Sequence, residues 1–165
     1  MNGFFQQNLL LNFNIVTGVD FQLQEFLYFN SVQFGQLRTM TSSDGISVPR
    51  LFENIIQRFG IYLASGILHD GAYRITPLTP NDLQQQQPDG TWAMLMLSES
   101  DCNALIDEAL QSQGCPWLER ETIYDSLQLF GWSAFDNDRN TPPIPPATSN
   151  TAKSTVINPM PAAPI

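Results

Sequence analysis

The sequence predicts an α+β fold in which a small antiparallel β element packs on three or four helices and an extended C-terminal tail follows. Three observations carry this reading. Apolar residues alternate with polar ones between Asn8 and Met40, apolar residues recur at helical spacing from Leu51 to Phe130, and from Asp136 onward the composition turns to Pro, Ala, Ser, Thr and Asn. A chain of 165 residues accommodates one compact domain with an appendage. The expected division is a globular domain over residues 1–135 and a Pro-rich extended arm over residues 136–165.

In the first part, Leu9, Leu11, Phe13 and Ile15 alternate with polar neighbours, as do Phe21, Leu23 and then Phe26, Tyr28 after a break. With turn chemistry at Thr17-Gly18-Val19-Asp20 and Asn30-Ser31, this gives about three short antiparallel strands. The polar stretch Thr41 to Arg50 links them to the helices. Leu51, Phe52, Ile55, Ile56 and Phe59 mark a short helix ending near Gly60, and a second helix begins near Ile61 and runs to Arg74. Pro77, Pro80, Pro88 and the glutamines Gln84 to Gln87 then read as an irregular loop containing a tight turn at Asp89-Gly90. Trp92 to Leu97 reads as a strand or as the lead-in to the next helix. Ser98 is a suitable N-cap with Asp101 at the third helical position, and that helix buries Leu105, Ile106, Ala109 and Leu110 before stopping at Gly114. A last helix starts near Pro116 and runs to Gly131-Trp132. Phe13, Phe26, Ile55, Leu68, Leu105, Ile106 and Leu127 are the expected core.

A net charge of −9, with seven Lys and Arg against sixteen Asp and Glu, argues against nucleic acid as a ligand, because phosphate recognition needs clustered cations. No run approaches the length of apolar residues that spans a bilayer, so no transmembrane segment is expected. Met1-Asn2-Gly3-Phe4-Phe5 lacks the pattern of a signal peptide. Cys102 and Cys115 match no zinc-ligand spacing that a single histidine could complete, and two free thiols are expected.

The chemistry concentrates in Ser65-Gly66-Ile67-Leu68-His69-Asp70-Gly71-Ala72-Tyr73-Arg74, which contains the chain's only histidine. On a helix, Ser65, His69 and Tyr73 share one face and Asp70 projects about 100° round from His69. An imidazole with a hydroxyl and a carboxylate in reach can act as a general base, with Asp70 left to hold a metal. The same residue types also build hydrogen-bonded core networks, and spacing alone leaves both roles open.

Asp44-Gly45-Ile46-Ser47-Val48-Pro49-Arg50, the run Ala64 to Arg74, Ser100-Asp101, Arg120-Glu121-Thr122-Ile123-Tyr124 and Phe130-Gly131-Trp132 together resemble an uncharacterised phage and prophage family. That family is catalogued as domain of unknown function 1353, and the resemblance covers roughly residues 20 to 133. It implies a small α+β protein of tailed phages or prophages, often encoded near tail or lysis genes. The His-Asp-x-x-Tyr run is also similar to the active helix of phospholipases A2. That likeness implies His69 as the base, Asp101 as the carboxylate orienting it, Tyr73 as a supporting hydroxyl and Asp70 as a calcium ligand. The region matching the calcium loop, Pro49 to Glu53, contains no glycine.

The leading expectation is a virion-associated or tail-assembly component that needs no cofactor and contacts other phage structural proteins through residues 136–165, with oligomer formation left open. It would reside in the virion, or in the host cytoplasm during assembly. The alternative is a metal-dependent hydrolase acting on lipid or envelope material through His69 and Asp70, with calcium as its ion.

Overall fold

The computed structural model of the chain describes residues 3–6, 10–13, 21–43, 62–140 and 154–156. It is an α+β fold, with nine short strands in two antiparallel sheets and three helices among the described residues. The larger sheet has the order β1 (Phe4–Phe5), β4 (Leu27–Ser31), β5 (Gly35–Thr39), β7 (Gln84–Gln86), β8 (Trp92–Met94). The smaller has β6 (Ser42–Ser43), β3 (Phe21–Leu23), β2 (Leu10–Phe13) and β9 (Ser154–Val156).

Alternation decides which face of the larger sheet is covered. Leu27, Phe29 and Ser31 of β4 point inward with Leu37 and Thr39 of β5, whereas Tyr28, Asn30, Gln36 and Arg38 point to the other face. The hairpin between these strands turns through Val32, Gln33 and Phe34. The Ser31 hydroxyl accepts the amides of Gln33 and Phe34 at 3.1 and 3.0 Å and donates to Glu108 Oε2 at 2.6 Å. Glu108 Oε1 also accepts the Val32 amide at 2.5 Å, so a carboxylate from a helix fixes the turn.

The glutamine run departs from expectation, because Gln84–Gln86 is a strand inside the sheet, bonded to both β5 and β8. Leu83, fully buried, anchors it, and the side-chain amides of Gln84 and Gln85 find hydrogen-bond partners there. Gln84 bridges Arg38 Nε and Asn81 Oδ1, while Gln85 donates to the Phe34 carbonyl at 2.6 Å. The turn to β8 does form at Asp89-Gly90. The Gly90 amide donates to Gln87 O, and the Asp89 carboxylate accepts the Thr91 amide at 2.9 Å and its hydroxyl at 2.6 Å.

Helices α1 (Leu63–Arg74) and α2 (Glu99–Ser112) cover the inner face, and α3 (Trp117–Asn140) packs on both. Gly71 lets α1 sit directly on the sheet side of the molecule, because a Cβ there would collide with the Asp82 carbonyl oxygen and the Thr39 hydroxyl, which are hydrogen-bonded to one another. The α2 N-terminus is capped as expected: Ser98 Oγ accepts the Asp101 amide at 3.2 Å and donates to its carboxylate at 2.7 Å. Past the other end of α2, the amides of Gly114 and Cys115 return to Gln111 O and Leu110 O, which absorbs two terminal carbonyls. An Arg120–Asp107 ion pair at 2.8 Å joins α3 to α2.

The main core unites Phe29 and Leu37 of the sheet with Leu68, Ala72 and Tyr73 of α1 and with Cys102, Leu105 and Ala109 of α2. Leu68, Leu105 and Ile106 are buried as expected, and Leu127 is partly buried against Ile106 and Ile123. Phe26 differs: it lies half-buried against Arg38, whose register puts that side chain on the outer sheet face. Ile55 with its expected helix, and the side chain of Phe13, lie outside the described residues. Both cysteines are free thiols and buried. No helix among the described residues is long and apolar enough to cross a membrane.

Two findings bear on the C-terminal arm. Helix α3 continues to Asn140, through the boundary expected after Phe135. Farther on, Ser154–Val156 pairs with Leu10–Asn12 of the same chain, so part of the arm completes the smaller sheet.

Candidate functional site

Helix α1 presents Ser65, His69 and Tyr73 on one face, as their spacing requires, and all three are buried. The surface they meet is α2. Ser65 Oγ donates to Gln113 Oε1 at one end of the contact, and Tyr73 Oη donates to Asn103 Oδ1 at 2.8 Å at the other, which makes the two helices antiparallel. Cys102 Sγ donates to the Ala72 carbonyl at 3.5 Å, next in sequence to the Tyr73–Asn103 pair on both helices.

His69 occupies the middle of this seam with 8 % of its surface exposed. Its ring lies 4.0 Å from the Tyr73 ring, centroid to centroid, tilted by 43°. Burial pushes the imidazole down to about 4, a side-chain hydrogen bond with Asn103 opposes that shift, and the positive charge of Arg74 adds to it. The side chain is therefore neutral at pH 7. Its Nε2 has no hydrogen-bond partner and is fully enclosed. Helix α3 closes the far side of Tyr73. The Phe135 ring meets the tyrosine edge-on at 5.2 Å, and a Cβ on Gly131 would stand 2.8 Å from Tyr73 Oη.

Of the residues expected to act together, the structure thus brings His69 and Tyr73 into contact. Asp101 is engaged elsewhere, its carboxylate held by the Ser98 hydroxyl at the N-cap of α2. Asn103 follows it by two positions, about 200° round the helix, and it is Asn103 that faces the imidazole and the phenol. Asp70 is half-buried beside the seam. Among the described residues no three His, Cys, Asp or Glu side chains converge as a metal site, and Pro49 to Glu53 lies outside those residues.

Asn103 and Gln113 are the seam residues that sequence reasoning missed. Asn103 could have been found, since it sits in the helical run containing Cys102, Leu105 and Ile106, where an asparagine on a buried face needs a polar partner. Gln113 gives no such signal, because a glutamine next to a helix-ending glycine is ordinary surface composition.

A second polar cluster lies beyond the end of α1. Thr79 Oγ1 donates to the Arg74 carbonyl at 2.9 Å, and Asp82, partly buried in the following loop, has its carboxyl pushed up to about 6 by desolvation, with Arg74 and Thr79 opposing.

A family model described as "Protein of unknown function (DUF1353)" matches residues 22–126, and the chain belongs to that family. No curated protein and no solved structure matches it.

Proposed function

We propose that this member of the DUF1353 family is a structural component of a phage particle, virion-associated or acting in tail assembly, anchored to neighbouring structural proteins through its C-terminal arm. The observation that carries the reading is the use made of the His69 face. A general base works best with a pKa near the working pH and with its free nitrogen open to substrate. His69 has the opposite settings, a neutral imidazole of low basicity enclosed between α1 and α2. Tyr73 spends its proton on Asn103, and Ser65 spends its own on Gln113. The motif serves cohesion between helices, which suits a scaffold.

The arm supports the same reading by composition. Seven of the chain's twelve prolines fall after Asp136, and a segment so poor in large apolar residues gains order by lying on other surfaces. The location that goes with this function is the virion, or the host cytoplasm during assembly. Truncation after Asn140 tests it, with circular dichroism to confirm the fold and co-purification with particles as the readout. Normal incorporation of a folded truncated chain would overturn anchoring by the arm.

One observation favours the hydrolase alternative, namely the unpartnered Nε2 of His69. In that reading Asp70 would hold calcium, and calorimetric titration of the full chain with calcium separates the two. A scaffold gives no saturable heat, whereas a stoichiometric isotherm lost in Asp70→Asn would favour the hydrolase.

A further inference from the structure

The outer face of the larger sheet carries an arrangement that the reading above does not use. Arg38 leaves β5 and crosses over β7, so that its guanidinium carbon lies 4.0 Å from the centre of the Phe26 ring and 4.3 Å from that of Trp92 on β8. Its Nε donates to Gln84 Oε1 at 2.7 Å, and Gln84 is itself held by Asn81 at 3.0 Å. Tyr28, opposite Arg38 across the strand pair, braces Trp92 edge-on at 5.7 Å. The guanidinium is thereby fixed in position, and its Nη groups are the donors that remain. Among the described residues no carboxylate pairs with it, although the chain carries a net charge of −9. A fixed arginine fork is the preferred partner of a carboxylate, since little rotamer freedom is left to lose.

Beside it lies a sheet edge with which no described strand pairs. Gln87–Thr91 and Leu83–Leu95 are hydrogen-bonded pairs, which by the alternation of an antiparallel ladder makes Gln85–Ala93 another, and the pairs between these, Gln86–Trp92 and Gln84–Met94, direct their peptide groups away from each other. The amides and carbonyls of Trp92 and Met94 therefore face outward along β8, the terminal strand of the sheet. Trp92 to Leu97 contains no charge and no proline, the usual protections of an edge, and Met94 and Met96 are 39 % and 48 % exposed.

We propose that β8 is a docking edge for an extended segment of a partner protein that adds a strand along Trp92–Met96 and places an acidic side chain on the Arg38 fork. The occupant follows from charge complementarity: the backbone edge accepts any extended chain, and the guanidinium over Trp92, which no described carboxylate pairs, selects one with a carboxylate on the outer face. The proposal rests on the larger sheet alone and makes no use of the C-terminal arm.

The test uses the full-length protein and a blocked peptide of sequence Thr-Val-Thr-Glu-Thr-Val-Thr, with glutamine and lysine counterparts at the central position. Amide shifts of Trp92, Met94 and Met96 and the Trp92 indole shift are followed during titration. The glutamate peptide is expected to saturate these shifts and to bind about tenfold more tightly than the glutamine peptide. Arg38→Gln should remove that difference while weak binding of both persists, and Met94→Pro, which deletes one outward amide, should abolish binding of all three. Equal affinity of the glutamate and glutamine peptides for the native protein would overturn the proposal, as would the absence of a saturable shift. The same shifts on raising protein concentration without peptide would make the occupant a second copy and overturn it also.

Discussion

Two titratable side chains, buried His69 and partly buried Asp82, pull the stability of this protein in opposite directions over the same acidic range. His69 titrates near 4 in the folded chain and near 6.5 when unfolded, so between those values the unfolded state holds more protons and acid destabilises the fold. The contribution is complete above pH 6.5 and falls as pH drops towards 4, by on the order of 3 kcal/mol. Asp82 has the reverse sense, since its folded value near 6 exceeds its unfolded value near 3.8, and acidification through that window stabilises the fold. Urea melts at several pH values should show a shallow dependence in the native protein. They should show rising stability towards pH 4 in His69→Phe and a steeper acid loss in Asp82→Asn. His69→Phe should change stability little at pH 7, because it keeps a ring against Tyr73 and removes a buried nitrogen without a partner, which offsets the loss of the hydrogen bond with Asn103. A marked loss of stability at pH 7 in that variant would contradict the enclosed-imidazole account.

At the scale of elements, the contact between α1 and α2 depends on matched polar pairs inside apolar packing. Tyr73→Phe leaves Asn103 buried without its phenolic donor and should cost about 1–3 kcal/mol. Adding Asn103→Leu should recover much of that loss, and a double-mutant cycle measures the coupling. Gly71→Ala should cost a similar amount, about 1–3 kcal/mol, because Asp82 and Thr39 block the added methyl and are themselves hydrogen-bonded. The helices were legible because their apolar periodicity and caps are local, as Ser98 with Asp101 shows. The strand Gln84–Gln86 was not, since its place comes from Leu83 in the core and from Arg38, Asn81 and Phe34, partners remote in sequence. The candidate site was half legible for the same reason. Spacing put Ser65, His69 and Tyr73 on one face, but which α2 residue meets them depends on how α2 is rotated, and that rotation brings Asn103 rather than Asp101.

For the molecule as a whole, fold class followed from pattern, while the end of the last helix did not, because residues 133–140 lack the apolar spacing that marked its first part. The larger sheet has a consequence for how the chain acquires its structure. Hairpins β4–β5 and β7–β8 each close through a short turn, their strands are joined by the pairing of Leu37 and Arg38 with Gln85 and Gln84, and α1 intervenes in the chain between them. Each hairpin can close early and locally, whereas their union must close a long loop, the step that limits folding rates in sheets with distant partners. The expected bottleneck in folding is the docking of these two hairpins. Leu37→Ala and Leu83→Ala, at the junction, should slow refolding nearly in proportion to the stability they remove. Gly90→Ala, in the β7–β8 turn, should lower stability with a different split between the two rates, and stopped-flow chevrons for the three variants would show whether the junction is the nucleus.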